Sequence, residues 1–554
     1  MPPCLRPGSG STWTPCHETE VFIYGHAGDG NLHVIPLLNL KEASEVRRMR
    51  AIAEEVHDLV LALGGSISGE HGDGLARTPY VRRQWGDLYP LLEQVKALFD
   101  PEGLLNPGKI VGQDPDLLVK NLRYGMEYRR ISTGTPLDDE RWQREIELCH
   151  GCGTCRTYCP VSLELVEEPT TARPKANLLR GLISGELPLH WLTSPAFKAV
   201  MDYCVNCKLC LTRCPTNVDI PGMALLARTH YVQQKGLEVD DWVLGRSELA
   251  GTLGTLTAPL SNLGNRLAPV RWLMEKVVGI DRRRELPVFA RPAFKKNQRL
   301  GRRGAARRVA YFPGCYATFN DPDGEARATV EVLERNGHEV RIPDWRCCGV
   351  AMITKGGVDA IRGDIDHNVR TLATLVRQGY NVVASAASCG LTLKHDYPEL
   401  LKSEEARLVA AHTFDIHEYL VRLRRDGALD TAFRPMNLRV VYHNACHMEA
   451  QGIGREVIEL LQLIPGLTIV PIADGCCGIA GTFGMKCRGF ELSMRIGGHL
   501  FDELKRAKAD VSLTSCGTCK LQMEQGTAQT VLHTVRLLQQ AYDTRERSRS
   551  SDTP

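Results

Sequence analysis

The chain has 554 residues, of which 43% are apolar and 24% charged, as in ordinary globular proteins. At roughly 100–200 residues per domain, this length predicts about three to four domains. The net charge of +3 gives no indication of nucleic-acid binding. No run reaches the roughly 18 apolar residues of a membrane-spanning helix, and the N-terminus lacks the apolar core of a secretory signal. The composition therefore predicts a cytoplasmic, multidomain globular protein.

The cysteine content is unusual for such a protein. The chain contains 20 cysteines, and a reducing cytosol disfavours structural disulfides, so cysteines in this number indicate metal binding. All but three fall into two groups, one between residues 149 and 214 and the other beyond residue 314. The exceptions, which we interpret as free thiols, are Cys4, Cys16 and Cys487.

The first part of the chain has two kinds of pattern. Residues 1–20 mix Pro, Gly, Ser and Thr without periodicity, which predicts disorder. Residues 21–38 are typical of a strand, a glycine-rich turn and a second strand, and helical apolar spacing follows at 41–63 and 88–99. We therefore expect one mixed region over residues 21–112.

Histidines and a carboxylate are grouped within this region. His26 and His33 bracket the turn, so their imidazoles converge if the two strands pair. Glu70 and His71 follow in a glycine-rich loop. Two imidazoles and one carboxylate can form a three-ligand site for a divalent cation, with open positions for a substrate. From the residues alone, a glycine-rich loop with ordinary histidines is the simpler interpretation.

Three segments of the region, YGHAGDGNLH, GSISGEHGDG and FDPEGLLNPGKI, resemble the C-terminal end of FAD-linked oxidases. This group includes D-lactate dehydrogenase, the glycolate oxidase flavoprotein and D-2-hydroxyglutarate dehydrogenase. The resemblance implies that His26, His33 and Glu70 hold a divalent metal, Zn or Mn, which grips a 2-hydroxy acid substrate. It also implies that His71 takes the hydroxyl proton while a hydride passes to flavin.

The same resemblance implies a place for three further residues and for the cofactor. Asn31 would lie beside the substrate, and Asn106 and Lys109 would face the flavin. The likeness covers only about residues 20–112, without the FAD-binding domain, and GEHGDG does not follow a strand as a dinucleotide-binding motif would. We therefore expect the C-terminal portion of a fusion, with FAD supplied by a missing or partner domain.

After a polar linker at 113–140, residues 141–235 contain two runs of the form CxxCxxCxxxCP. In each run, three thiolates bind one cubane and the fourth, followed by proline, ligates the neighbouring cluster. The predicted ligand sets are Cys149, Cys152, Cys155 and Cys214 for one 4Fe-4S cluster and Cys204, Cys207, Cys210 and Cys159 for the other. Zinc sites are the alternative, but they have no reason for this duplicated spacing. Two adjacent clusters indicate one-electron transfer.

Residues 236–308 are first Leu-rich, which predicts helices, and then strongly basic. One interpretation of the basic stretch is a solvated linker. The other is attraction to an anionic membrane surface or an acidic partner.

The last part of the chain contains an internal repeat. Three motifs of residues 309–430 recur in order in residues 431–545, namely YFPGC with YHNAC, RCCG with GCCG, and SCG with SCG. Apolar strands alternating with helices predict two α/β units with parallel sheets and cysteines at the strand ends. Residues 546–554 form a tail. The expected fold class is thus multidomain α+β and α/β.

The repeats resemble the CCG cysteine-rich domain of heterodisulfide reductase subunits, glycolate oxidase iron–sulfur subunits and the C subunit of anaerobic glycerol-3-phosphate dehydrogenase. The last of these is the family that residues 141–540 resemble most, and in it the polypeptide passes electrons from a flavin subunit toward membrane quinone. YHNACHMEAQGIG, DGCCGIAGTFG and TSCGTCKLQMEQGT are the segments that resemble it.

The two repeats differ in their cysteines. The second is complete, with Cys446, Cys476, Cys477, Cys516 and Cys519. The first has Cys315, Cys347, Cys348 and Cys389, with Thr392 in place of the last cysteine. The resemblance implies a further iron–sulfur cluster at the second repeat, and a different cluster or none at the first; redox-active or structural CCG turns are the alternative. His443 and His447 flank Cys446, and such histidines are more often hydrogen-bonding neighbours than ligands.

These patterns predict an iron–sulfur oxidoreductase that is part of an FAD-linked 2-hydroxy acid dehydrogenase. Electrons would pass from flavin through the clusters to quinone or another acceptor, with peripheral association at the inner face of the cell membrane. The alternative is an electron-transfer subunit of a glycerol-3-phosphate dehydrogenase-like complex that is not catalytic alone. A zinc-stabilised nucleic-acid-binding protein is a third class, which the duplicated cubane spacing opposes.

Overall fold

A computed structural model describes residues 17–301, 305–470 and 475–542. Of the residues 1–20 predicted to be disordered, 1–16 lie outside the described residues, as do the tail 546–554 and Arg302 and Arg303 of the basic stretch. The prediction is wrong for Thr19, which is buried and donates from its hydroxyl to the Leu37 carbonyl at 2.7 Å. Within the described ranges, no helix combines the length and the apolar character needed to cross a bilayer. The chain divides into two compact units, residues 1–131 and 132–554, and each is described by itself.

The first unit is a hairpin followed by helices. Its elements are β1 Val21–His26, β2 Asn31–Pro36, α1 Ala43–Ala62, α2 Gly74–Trp85, α3 Tyr89–Phe99 and α4 Leu117–Lys120. The strands pair antiparallel, and Gly30 closes the turn at a φ of 66° that favours glycine. The start of the predicted linker packs on this unit, because Arg50 bonds to Asp116 and to the Pro115 carbonyl at 3.3 Å.

The hairpin exposes apolar side chains on both of its faces. Phe22 and Ile23 are adjacent in β1, so they point to opposite faces, and both are about half exposed, as is Tyr24. Leu32 and Val34 of β2 are exposed as well. A two-stranded hairpin is marginally stable alone, and strands that are apolar on both faces are typical of the interior of a larger sheet. The hairpin is therefore an apolar surface suited to a partner.

The second unit begins with short helices around the first cysteine group. They are α5 Glu140–Leu148, α6 Pro160–Leu165, α7 Arg173–Ile183, α8 Pro195–Asp202, α9 Leu209–Thr212 and α10 Ile220–Lys235. Leu179 and Leu182 of α7 are buried in one core with Met223 of α10. Pro160 opens α6 right after Cys159, where a missing N–H group costs nothing.

Residues 236–301 are helical and then extended, and they are partly built into the fold. The helices are α11 Val239–Leu244, α12 Ser247–Leu256, α13 Leu260–Gly264 and α14 Ala268–Val278, and β3 is Gln298–Gly301. The interpretation of the basic stretch as a solvated linker is wrong for Arg284, which is only 1% exposed. Arg284 is buried because its guanidinium lies in a polar pocket, and this pocket could not be recognised from the sequence.

The two predicted repeats form two parallel sheets of the same strand order. The first contains β4 Arg307–Phe312, β5 His338–Ile342, β6 Asn381–Ala384 and β7 Thr413–Asp415, and the second contains β8 Arg439–His443, β9 Thr468–Val470, β10 Val511–Thr514 and β11 Val531–His533. The orders are β5-β4-β6-β7 and β9-β8-β10-β11, and β3 adds an antiparallel edge beside β5. The α/β prediction and its internal repeat are confirmed.

Helices separate the strands of both sheets. In the first repeat they are α15 Gly314–Phe319, α16 Arg327–Arg335, α17 Val350–Ile353, α18 Arg362–Arg377, α19 Ala387–Leu391, α20 Tyr397–Leu401, α21 Glu404–Ala411 and α22 Ile416–Arg425. In the second they are α23 Cys446–Glu449, α24 Arg455–Leu461, α25 Cys487–Ala507, α26 Gly517–Thr527 and α27 Thr534–Tyr542. One continuous hydrophobic core spans both repeats.

The guanidinium of Arg284 joins the segment before the repeats to the second repeat. Its Nε donates to the Gly484 carbonyl at 2.8 Å, Nη1 to Gln525 Oε1 at 2.7 Å and Nη2 to Ser493 Oγ at 3.2 Å. Burial lowers the pKa of Arg284 to about 10, so the group stays charged at neutral pH.

We predict that Arg284→Met lowers the free energy of unfolding by about 3 kcal/mol, because it leaves several buried acceptors without a donor. Arg282→Met is the control: Arg282 is exposed and pairs with Glu275 at the surface, so its loss should cost no more than about 0.5 kcal/mol. The measurement is the urea midpoint of tryptophan fluorescence. Equal midpoints for both variants would contradict the prediction.

Candidate functional site

The eight cysteines of the first group line two neighbouring pockets. One pocket is lined by Cys149, Cys152, Cys155 and Cys214, with Cys210 at its edge, and the other by Cys159, Cys204, Cys207 and Cys210. The structure thus brings together both sets expected from the spacing, including the exchange of the fourth cysteine between runs. All eight are free thiols. Their assignment as cluster ligands stays a prediction, and the donor set fits it.

The charges around these pockets favour a bound positive centre. Burial raises the pKa of the Cys207 and Cys210 thiols well above the usual value, because an isolated thiolate is unstable in a dry interior. Burial likewise raises the pKa of Cys155 and Cys159. Buried thiols grouped around these two pockets ionise readily only when a metal lies among them.

One cation beside the second pocket was not predicted from the sequence. Lys175 in α7 is 1% exposed, and its ammonium donates to the Thr171 carbonyl at 2.7 Å and the Thr170 carbonyl at 3.3 Å. Burial lowers its pKa, and the nearby Cys204 and Cys159 oppose that change. The available signal was a lysine on the apolar face of an amphipathic helix. Its charge stabilises anionic sulfur at this pocket.

The five cysteines of the second repeat meet at the carboxyl ends of β8 and β10 and in the loop beyond β9. Cys477 and Cys519 place their Sγ atoms 3.2 Å apart. A hydrogen bond from Cys519 lowers the pKa of Cys516 to about 5. A hydrogen bond from Cys446 likewise lowers the pKa of Cys476. The structure therefore gathers all five predicted thiols into one group, of which four are buried and Cys446 is partly exposed.

The first repeat forms a smaller group of four. The Sγ atoms of Cys348 and Cys389 lie 3.4 Å apart, and a hydrogen bond from Cys315 lowers the pKa of Cys347 well below its usual value. Thr392 is fully buried at the position of the missing thiol, and its hydroxyl has no partner among the residues described. The two sites are thus unequal, as the sequence predicts.

Residues outside the cysteine motifs support this first group. Glu248 of α12 accepts the backbone N–H of Cys347 at 2.6 Å. Lys296, from the basic stretch, donates to Glu248 at 2.6 Å and to the Trp345 carbonyl at the same distance. The basic stretch thus contributes a residue to this site as well as exposed residues to the surface. The sequence could not predict this contribution, because the contacting residues are distant from one another along the chain.

His447 connects the cubane loops to both repeats. Its Nε2 donates to the Asn206 carbonyl at 3.0 Å, next to Cys207, and its Nδ1 accepts from Ser388 Oγ at 2.8 Å, next to Cys389. Burial lowers the pKa of His447, so the ring is neutral. The expectation of a hydrogen-bonding neighbour fits this histidine, because both of its nitrogens are occupied by protein atoms.

His443 has a different environment. It ends β8, is fully buried, and neither ring nitrogen has a hydrogen-bond partner in the described ranges. Burial lowers its pKa to about 4. Its ring nitrogen and the sulfurs of Cys477 and Cys519 all lie within 4.8 Å of one another.

The histidines and glutamate of the first unit also come together. The Nε2 atoms of His26, His33 and His71 lie 3.3, 2.9 and 3.4 Å from Glu70 Oε1. Partial desolvation raises the pKa of Glu70, but these imidazoles and the Asn31 amide outweigh it and hold the pKa below its usual range. His71 is 68% exposed, so this cluster is open to solvent. It can hold a cation through His26, His33 and Glu70.

Asn106 and Lys109 lie in the loop after α3. Lys109 Nζ donates to Asn106 Oδ1 at 3.3 Å, and Asn106 has a left-handed φ of 47°. The loop is anchored where Ile110 N–H donates to Thr78 Oγ1 at 2.8 Å. Their role toward a flavin stays a prediction.

Comparison with known proteins gives matches to three domain families. The model for FAD linked oxidases, C-terminal domain, matches residues 14–110, the 4Fe-4S dicluster domain matches 136–218, and the cysteine-rich CCG domain matches 309–394 and 440–524. These matches confirm the resemblances and identify an iron–sulfur oxidoreductase related to FAD-linked dehydrogenases.

Two relatives define the extent of the likeness. D-2-hydroxyglutarate dehydrogenase of Pseudomonas putida is 24% identical over 583 aligned positions, which cover 94% of this chain and 55% of the relative, so the chain spans about half the length of that enzyme. The C subunit of anaerobic glycerol-3-phosphate dehydrogenase from Escherichia coli K12 is 34% identical over 402 positions, 71% of this chain and 98% of the relative. The chain therefore belongs to the family of the anaerobic glycerol-3-phosphate dehydrogenase C subunit.

Proposed function

We propose that this chain is the electron-transfer arm of an FAD-linked 2-hydroxy acid dehydrogenase, and that it passes electrons from a flavin to quinone or another acceptor. Bound iron–sulfur clusters supply the ability to accept and release single electrons. The observation that supports the proposal is the closeness of the second cubane pocket to the second CCG group. The loop that holds Cys207 bonds to His447, next to Cys446.

The contacts between neighbouring sites indicate the order in which electrons would pass through them. Cys210 lines both cubane pockets, so the two are adjacent. Cys207 lies near enough to Cys476 and Cys446 for their charges to interact. Val161, packed beside Cys159, shares a small core with Cys476. The arrangement supports transfer from the first cubane pocket to the second and on to the second CCG site.

The cluster at Glu70 supports a substrate site in the same protein. We propose that His26, His33 and Glu70 hold a divalent metal, Zn or Mn, that binds the hydroxy acid beside Asn31. His71 contacts the same carboxylate and is the group placed to take the hydroxyl proton. The site is exposed, and a flavin must lie on its open side.

The apolar hairpin supports a partner that brings this flavin. Both faces of the strands expose apolar side chains, and among the described residues no further strand pairs with their outer edges. We propose that an FAD-binding domain or subunit extends this sheet. The second candidate is a glycerol-3-phosphate dehydrogenase-like complex in which the chain only conducts electrons. It is favoured because the C subunit of that enzyme aligns with this chain over almost the whole length of the subunit.

An exposed face of α12–α14 supports a membrane-facing acceptor. Its apolar side chains are at least 46% exposed; they are Leu249, Leu253, Leu256, Leu260, Leu263, Leu267, Trp272, Leu273 and Val277. Exposed cations accompany them, among them Arg266, Lys276 and Arg282. An apolar face flanked by basic residues is typical of helices that lie in the interface of an anionic bilayer. We propose that this face binds such a membrane, the source of quinone.

For the cubane pockets we predict two interacting 4Fe-4S clusters. Cys152→Ser should damage the first and Cys207→Ser the second, each with loss of one cluster's iron and sulfide, because each variant removes one of four thiolates. The reduced protein should show coupled electron paramagnetic resonance signals that become simpler in each variant. Cys487→Ser, an exposed thiol outside both sets, is the control. Stoichiometric zinc without iron or sulfide would refute the assignment.

For the substrate site we predict that the purified 554-residue chain oxidises no hydroxy acid, because hydride transfer needs a flavin about 3–3.5 Å from the substrate carbon. Adding an FAD-binding part in trans, or by fusion, should restore dye reduction with one of D-lactate, glycolate or D-2-hydroxyglutarate. His71→Asn should then reduce the rate by roughly 10²–10⁴-fold. Turnover only with glycerol-3-phosphate would favour the second candidate. Turnover with FAD bound by the chain alone would overturn the need for a partner.

For the membrane face we predict co-sedimentation with phosphatidylglycerol vesicles at low salt. Replacing Leu253, Leu256 and Leu260 by Glu should weaken binding at least about tenfold, since each change removes apolar contact and adds repulsion. The matched control places the same three charges at Leu63, Leu91 and Leu98 of the first unit. Equal binding by both triple variants, or no binding by the unaltered chain, would contradict the proposal.

A further inference from the structure

His443 is a buried histidine that forms no hydrogen bond through either ring nitrogen in the described part of the chain. It is 0% exposed, and neither Nδ1 nor Nε2 meets a donor or acceptor among residues 17–301, 305–470 and 475–542. Burying two polar atoms without hydrogen-bond partners is unfavourable, because each loses its bonds to water and gains none in the protein. A side chain kept under such a cost needs a partner that the protein atoms do not supply.

The position of the ring indicates what that partner is. One ring nitrogen and the sulfurs of Cys477 and Cys519 lie within 4.8 Å of one another, which is a spacing that one metal ion can span. His447, the neighbouring histidine, is excluded from this role, because the Asn206 carbonyl and the Ser388 hydroxyl occupy both of its nitrogens.

The internal repeat offers a matched comparison. Phe312 precedes Cys315 by three residues, as His443 precedes Cys446, and each ends the corresponding strand. In the first repeat the ligand-type residues His443 and Cys519 are thus replaced together, by Phe312 and Thr392. The extra thiolate and the imidazole occur at the same site and are absent from the other.

The strand next to β8 places a hydroxyl on the same face of the sheet as the ring. Thr514 is the residue paired with His443 in the parallel ladder, so the two side chains share a face. Its hydroxyl is buried and also lacks a partner in the described part of the chain. The residue paired with Phe312 is Ala384, which has no hydroxyl. A hydrogen bond from one ring nitrogen to Thr514 would leave the other free to bind metal.

We infer that His443 is a nitrogen ligand to iron at the second CCG site, beside Cys477 and Cys519. The inference rests on the proposed function, in which this site holds an iron–sulfur cluster. The neutral imidazole donates a lone pair and, unlike a thiol, releases no proton on binding. Because it adds no negative charge, it favours the reduced form more than a thiolate would.

The test uses the full chain, reconstituted anaerobically with iron and sulfide and labelled with ¹⁵N-histidine. Pulsed electron paramagnetic resonance should show a directly bound histidine nitrogen, identified by the change from ¹⁴N to ¹⁵N. His443→Phe, which copies the first repeat, should abolish that coupling, and His447→Gln should keep it. Full iron content without a strong histidine coupling, or coupling that persists in His443→Phe, would overturn the inference.

His443→Cys covers the case in which His443→Phe loses the cluster or fails to fold. It should keep the iron, lose the nitrogen coupling and shift the reduction potential of this cluster downward, because a thiolate replaces a neutral ligand. An unchanged potential with full iron would count against ligation. Cys477→Ser distinguishes failure of the inference about His443 from failure of the proposed cluster. If this variant loses no iron relative to the unaltered chain, the site holds no cluster, and both the inference and that part of the proposed function fail.

Discussion

The placement of many thiols in a dry interior is the constraint on which the second unit depends. A buried thiolate is unstable without a nearby positive charge, and burial raises the pKa of Cys207 and Cys210 accordingly. Where thiols meet in the CCG groups, one becomes a hydrogen-bond donor and the other an acceptor, as for Cys519 and Cys516. The loops of the unit serve to hold these groups together, and metal binding then adds to its stability.

The two parallel sheets have the same topology, and each holds one group of thiols at the equivalent place. Each CCG group lies beyond the carboxyl ends of β4–β6 or β8–β10, where loops from different strands converge. The copies have since diverged in what surrounds the thiols. Glu248 and Lys296 support the first group through its backbone, whereas Arg284 packs near the second and anchors it to the preceding segment. Equivalent backbones thus hold chemically different sites.

The first unit differs from the second because its main features are exposed and not buried. Its hairpin and its open histidine cluster are both exposed, and both are arranged as parts of something larger. Strands that are apolar on two faces gain stability only when more strands and covering helices are added. Under the proposed function the histidine cluster is a substrate site, and such a site gains its reactivity only when a cofactor closes it. An FAD-binding partner would then cover both features.

Local spacing in the sequence was enough to predict the cysteine sets, the helices around them and the repeat, because three cysteines of each cubane run lie within a few residues of one another and the motifs recur in the same order. It also predicted that His26 and His33 converge if the two strands pair, and the strands do pair. Tertiary structure alone decided the roles of Lys175, Arg284 and Lys296, whose partners are backbone or side-chain groups brought near only by folding. It also separated His447, satisfied on both sides, from His443, which has no partner in the described part of the chain. Two histidines four residues apart look alike in the sequence, and only packing determines which atoms face them.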